Sequence, residues 1–552
     1  MPDFIPHTAG TSHAAIITGT KPALINWVAA IFAAIGTFLF GYDSGIISSV
    51  ISTSYDEFQD YFGHPGADIT GAIVSVFAGG AFFGALLAGY TADKIGRKRT
   101  IQLGALIAII GCAIQAGAAN AGMLIAGRAI AGLAIGVLSM IVPMYQAEIS
   151  PPHVRGLMSG WTQMMISWGF FVANWIGYGC QYIHNQGQWR IPLAVQIIPA
   201  ICLFFGMFLL PYSPRWLAKQ GRPEDAKAAL IRLHGGANRA RTDVVEAEFA
   251  EMEMQIEWVG QGVLIRVTAE RENLSTNFKD LFNTKPNLHR TLCGVLVQAM
   301  TQWTGVNVNN YYGPTIYNGL GYTGNTVLMI QGIYGAWGVV CTWTFITFIV
   351  DRLGRRRPLI IGSALLACCL AWQAGCSSAF ATPGYSNSHT GIAGIASIFM
   401  FSWVFSWSFG PVSWIYQSEI FPTNLRALGT SASTASNWLN NVLISQVTPY
   451  GFDHISWRYF FVYMACNLSN CVVSYFLFPE TKNKTLEEIG LLFGDNNVRV
   501  APTDDAATLT EKEERKGEHR HLEAGQSAHD HAHHSEHEYG HEHEGEAVLQ
   551  QM

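Results

Sequence analysis

Long apolar stretches alternate with short polar joints from about residue 24 to residue 480. Runs such as "GAIVSVFAGGAFFGALLAGY", "TIQLGALIAIIGCAIQAGAA" and "LIIGSALLACCLAWQAGCSSAF" are each near the ~20 residues that carry a helix across a hydrocarbon core. Twelve such segments begin near residues 24, 70, 100, 122, 156, 190, 291, 326, 358, 391, 427 and 457. The pattern predicts an all-α membrane protein with twelve transmembrane helices. The first apolar run is too long for a signal-peptide core, so it should remain as a span.

The order repeats. "DKIGRKR" from 93 returns as "DRLGRRR" from 351, "AEISPPHVRG" from 147 as "SEIFPTNLRA" from 418, and "WRIP" from 189 as "WRYF" from 457. Three pairs in one order predict two six-helix pseudo-repeats, a layout suited to halves that rock about a site at mid-membrane. The expected organisation is an N-terminal segment 1–23, a first bundle 24–211, a helical linker 212–290, a second bundle 291–479, a short helix within 480–494, and a tail 495–552. In the linker, "PEDAKAALIRLHG" opens on Pro with acidic residues in its first turn and ends at Gly, as a short helix should. "DVVEAEFAEMEMQIEW" is a second candidate. The tail, with "SAHDHAHHSEHEYGHEHEGE", has too few apolar residues to form a core and reads as disordered.

Composition agrees. Of 552 residues, 49% are hydrophobic and 13% charged, against roughly 25% charged in soluble domains. A soluble enzyme is excluded as the whole account, and the chain is read as no enzyme. The ten cysteines lie scattered without metal or redox spacing; no metal, disulfide or cofactor is expected, apart from H⁺ as a coupling ion. Lys and Arg concentrate at 92–99, 215–290, 351–357 and 482–484, while the joint at 49–69 carries only acids. By the positive-inside rule both termini and the linker are cytoplasmic. Acid–base sets recur at the cytoplasmic span ends: Asp93 with Arg97, Asp351 with Arg355, Glu148 with Arg155, and Glu419 with Arg426. They are expected to tie neighbouring helices together as an inner gate.

Two charges remain inside spans. Asp43, in "GTFLFGYDSGIIS", and Arg128, in the fourth segment, would each be costly alone and are expected to pair. A proton arriving at Asp43 would neutralise it and release the arginine. Each proton moving inward down 100 mV supplies about 2.3 kcal/mol, enough for roughly fifty-fold accumulation of a cargo.

The motifs "GYTADKIGRKR", "GRAIAGLAIG", "PMYQAEISPPHVRG", "PYSPRWL", "QWTGVNVNNYY", "DRLGRR", "GPVSWIYQSEIFPTNLRALG" and "PETKNKTLEEI" resemble, in order, those of the sugar porter family of the major facilitator superfamily, with the flavour of fungal monosaccharide transporters. The resemblance spans about residues 24–494. It implies alternating access for a sugar, and an aspartate–arginine couple at Asp43 and Arg128 like that of proton-coupled members; facilitative yeast carriers also keep the aspartate. It places sugar contacts at Gln163, Gln298, Gln302, Asn307, Phe405, Trp414 and Asn437, and an outer gate at Tyr311 and Tyr312. Amides suit hydroxyls that donate and accept, and aromatic faces suit sugar C–H faces.

Three departures stand out. Tyr212 replaces the glutamate of the family's PESPR, Thr301 replaces the first of two glutamines, and Val339 falls where glucose transporters carry asparagine. The expected function is proton-coupled import of a neutral hexose or pentose across the plasma membrane. A passive carrier and a non-transporting sugar sensor are the alternatives. The expected partners are a monosaccharide, protons and the lipid bilayer, with no nucleic acid, and the chain is expected to work as a monomer.

Overall fold

A computed structural model describes residues 24–150, 155–233 and 279–494, except 349, 383–384, 386, 423–424, 483 and 485, together with 245, 246 and 249. The tail and most of the second linker segment lie outside the described residues. Among the described residues there are helices and no strands.

Long helices begin at Leu24, Ala67, Arg97, Ala121, Arg155, Gly187, Lys285, Asn325, Arg356, Ser388, Arg426 and Tyr459, each within about two turns of the start expected from the apolar pattern. Nine stretches among the described residues are long and apolar enough to cross a membrane. Twelve segments were expected from the apolar pattern. Arg426–Leu477, at 52 residues, is more than twice the length of one crossing and divides at the 3-10 turn Ser456–Arg458 into two helices. Arg155–Cys180 carries Ser, Thr, Gln and Asn side chains along its length, and Lys285–Trp303 includes Lys285, Asn287, His289 and Arg290 in its first turns, so both are less apolar. The linker helix predicted from "PEDAKAALIRL" is present as Pro223–Leu233.

Buried apolar side chains form one large group built almost wholly from residues 281–493 and two groups built mainly from residues 29–328. Ala67–Lys94 lies along both Ala121–Ile149 and Arg426–Ile455, and Arg155–Cys180 lies along both Ile35–Val50 and Asn325–Phe348. These contacts join early and late helices through polar points. Trp438 Nε1 donates to Ser139 Oγ at 3.1 Å, and Ser431 Oγ donates to the Ala85 carbonyl at 2.8 Å.

Helices can approach so closely because small residues face each other. A Cβ on Gly132 would sit 2.0 Å from the Phe77 carbonyl oxygen, and one on Gly41 would sit 2.0 Å from that of Ile166. Those obstacles are backbone and cannot turn aside. Gly132→Ala should therefore destabilise the bundle by about 1–3 kcal/mol, seen as a lower melting temperature of the purified chain. An unchanged melt would show that these helices separate without cost.

Candidate functional site

The helices Ile35–Val50 and Ala121–Ile149 bring Asp43 and Arg128 together. Arg128 Nη1 donates to Asp43 Oδ1 in a salt bridge with side chains 1% and 2% exposed. The guanidinium is held from other sides too: Nε donates to the Ile73 carbonyl at 3.1 Å, and Cζ lies 4.3 Å above the Phe77 ring. A buried cation keeps its charge when paired and hydrogen-bonded like this. Asp43 Oδ2 has no hydrogen-bond partner among the described residues.

The polar run after Lys285 does not make one continuous helix. It breaks at Gly305, where φ is +90, a left-handed turn that favours glycine. The chain resumes as Val306–Tyr311 and Gly313–Gly319. Backbone at such breaks is tolerated where it lines a cavity.

Around the break four amides form a directed chain. Asn307 Nδ2 donates to Gln302 Oε1 at 2.5 Å, Gln302 Nε2 donates to Asn437 Oδ1 at 2.9 Å, and Asn437 Nδ2 donates to Gln298 Oε1 at 2.6 Å. Gln298 Nε2 has no partner among the described residues. The chain thus ends in a free, buried donor. Trp414 stands on Phe409–Glu419, which packs on Lys285–Trp303; Phe405 stands on Ser388–Ser406, which touches Val306–Tyr311; and Gln163 stands on Arg155–Cys180, which packs on Phe409–Glu419. Thr301 Oγ1 donates to the Val297 carbonyl at 2.7 Å, so its hydroxyl is satisfied within its own helix.

Tyr311 and Tyr312 are both buried and both tied to the late helix. Asn441 Nδ2 donates to the Tyr311 hydroxyl at 3.1 Å, and the Tyr312 hydroxyl donates to the Ser445 carbonyl at 2.7 Å. They also line a cavity of about 170 Å³ with Ser48, Ser52, Asn318 and Phe452.

At the other end of the helices Asp93 pairs with Arg97, at 3.0 Å, as expected, and further pairs join one motif to another. Glu148 also pairs with Arg97, at 2.9 Å, so that Arg97 holds two acids. Glu419 likewise pairs with Arg355 at 2.9 Å. Arg426 Nε donates to the Phe421 carbonyl at 3.4 Å. The side chains of Arg155 and Asp351 lie outside the described residues. The pairs between motifs have a simple cause: the start of one helix lies beside the end of another, so the base of the first motif meets the acid of the second.

The repeat extends to residues not singled out in the sequence. Ser213 Oγ donates to Glu148 Oε2 at 2.5 Å, and Thr481 Oγ1 donates to Glu419 Oε2 at 2.9 Å. Each hydroxyl sits two residues after a proline, in "PYS" and "PET". Between them in each motif stand Tyr212 and Glu480. Glu480 accepts from the backbone N–H groups of Arg355 and Arg356. Tyr212 instead accepts from Arg99 Nε at 3.1 Å and places its ring beneath Lys98. The tyrosine keeps contact with the basic cluster without supplying a charge.

Comparison with known proteins agrees with this architecture. A family model described as "Sugar (and other) transporter" matches residues 29–493. The chain is 36% identical to the MFS-type transporter criB of Aspergillus cristatus, over 88% of this chain and 96% of that one. It is 35% identical to a high-affinity glucose transporter of Kluyveromyces lactis, over 85% of each. It is 33% identical to a quinate permease of Neurospora africana, over 87% of this chain and 92% of the permease. In fold it is similar to the proton:xylose symporter XylE of E. coli, with a TM-score of 0.70, 24% identity, and coverage of 85% of this chain and 99% of that one. The chain is a multi-pass membrane transporter belonging to the sugar porter family of the major facilitator superfamily.

Proposed function

We propose that this protein imports a neutral hexose or pentose together with a proton across the plasma membrane, by alternating access. Twelve helices in two halves, 24–211 and 291–479, enclose the site, and both termini and the 212–290 linker face the cytoplasm. The observation that carries the reading is the buried Asp43–Arg128 bridge in a bundle that also holds four linked amides.

The ionised pair holds the helices Ile35–Val50 and Ala121–Ile149 together. A proton from outside neutralises Asp43 and releases Arg128. The sugar enters past Tyr311 and Tyr312, and its hydroxyls exchange into the amide chain, starting at the free Gln298 Nε2. Arg97–Glu148 and Arg355–Glu419 each fasten two helix ends on the inner side and set how far that side yields. The four amides are neutral donors and acceptors, suited to reading hydroxyls. Thr301 and the apolar Val339 reduce the number of polar grips, which leaves room for either a hexose or a pentose.

Uptake of labelled sugars in a transporter-null cell tests this. Accumulation above equilibrium that collapses with an uncoupler supports it, whereas uptake that stops at equilibrium indicates a passive carrier. No uptake indicates a sensor, and uptake of quinate alone indicates an acid carrier. Gln298→Ala should raise KM about 2- to 10-fold, the loss of one neutral hydrogen bond. An unchanged KM would remove Gln298 from the sugar site.

A further inference from the structure

One buried amide takes no part in the mechanism so far. Gln115, near the end of the helix Arg97–Ala116, is 0% exposed, and neither its Oε1 nor its Nε2 has a hydrogen-bond partner among the described residues. An unpaired buried amide is costly and calls for an explanation. The side chain borders the Asp43 carboxylate, whose Oδ2 is unpaired as well. It reaches that position because Gly127 faces it: a Cβ there would come within 2.9 Å of Gln115 Cγ.

We propose that Gln115 is a positioning residue for the transported proton, an amide that serves both protonation states of Asp43. With Asp43 ionised, Nε2 donates to the carboxylate beside Arg128. With Asp43 protonated, the amide turns, and Oε1 accepts the new carboxyl O–H while Arg128 keeps its bonds to Ile73 and its seat on Phe77. An amide is suited to both because it carries a donor and an acceptor and no proton of its own to lose. The proton enters on Asp43, stays there during the crossing, and leaves from there; Gln115 carries none. The other groups bearing on this carboxyl are Arg128 from Ala121–Ile149, Tyr311 from Val306–Tyr311, Cys112 from Gln115's own helix, and Tyr42 beside Asp43. Among the described residues, the amide has no partner at either of its polar atoms.

The internal repeat supplies a control. Gln373 follows Asp351 at the same spacing as Gln115 follows Asp93, and it is also 0% exposed. It donates instead to a neutral partner, Asn309 Oδ1, at 3.3 Å.

The inference rests on the proton-symport reading, and one experiment separates the two. Initial sugar uptake and sugar-evoked alkalinisation are measured against external pH for the full-length chain, Gln115→Met, Gln115→Glu and Gln373→Met, each normalised to surface protein. A donor to an ionised acceptor is worth more than an acceptor for a neutral donor. Gln115→Met should therefore move half-maximal uptake about one pH unit upward. Gln115→Glu places a second acid beside the first and should move it at least as far. Gln373→Met should keep the original midpoint whatever its rate. Unmoved midpoints in the Gln115 variants, with coupling intact in the unaltered chain, overturn the role of Gln115 alone. Should Gln115→Met fail to reach the membrane, the nearly isosteric Gln115→Glu decides. Absence of alkalinisation in the unaltered chain overturns symport itself.

Discussion

In Asp43→Asn, labelled sugar is expected to equilibrate across the membrane and go no further. The side chain keeps its shape and can still hydrogen-bond Arg128, but it no longer takes up a proton. The roughly fifty-fold gradient that 100 mV can sustain should fall to none. Exchange of labelled for unlabelled sugar should persist, because the amide chain of Gln298, Gln302, Asn307 and Asn437 is untouched. Accumulation, exchange and uncoupler sensitivity are read from the same cells. Loss of exchange together with accumulation would mean that the salt bridge is a structural brace and carries no proton.

Arg97→Ala should produce a large loss of stability. Its guanidinium is 5% exposed and anchors Glu148, 3% exposed, together with the Ala92 carbonyl and Asp93. Removing one partner leaves a buried carboxylate uncompensated, at a cost of about 3–5 kcal/mol, a large fraction of the stability of a folded domain. The expected result is a melting temperature reduced beyond that of Gly132→Ala, and little protein at the cell surface. Lys219 offers the contrast: it also reaches Asp93, at 3.4 Å, but is 40% exposed. Lys219→Ala should change the melt hardly at all. Equal effects from the two would mean that burial does not set the strength of this cluster.

The long helices were legible in the sequence because a membrane enforces a simple code of apolar length and polar interruption. Asp43 and Arg128 were legible for the same reason: charge inside an apolar run needs a partner, and few were available. The connections among polar groups were harder to read. The acid and base of one motif, Glu148 and Arg155, look like a pair in one dimension. In three, the helix start at Arg97 also lies beside Glu148, a contact between motifs that one dimension does not display. Thr301 stands where an amide was expected, and its hydroxyl bonds to the Val297 carbonyl of its own helix, a detail that the sequence does not display. Gln115 gave almost no signal, since one amide in "GCAIQAGAA" is compatible with helix–helix packing. Only its burial, its unpaired atoms and its place beside Asp43 set it apart. The repeat held a clue in the matching spacing of Gln373.

The most direct measurement uses the purified full-length chain in sealed lipid vesicles with a pH-sensitive dye inside. A sugar gradient directed inward, with no initial pH difference, should acidify the interior as sugar enters, and Asp43→Asn should abolish the acidification while sugar still crosses. Sugar entry with a constant internal pH in the unaltered chain would contradict the account.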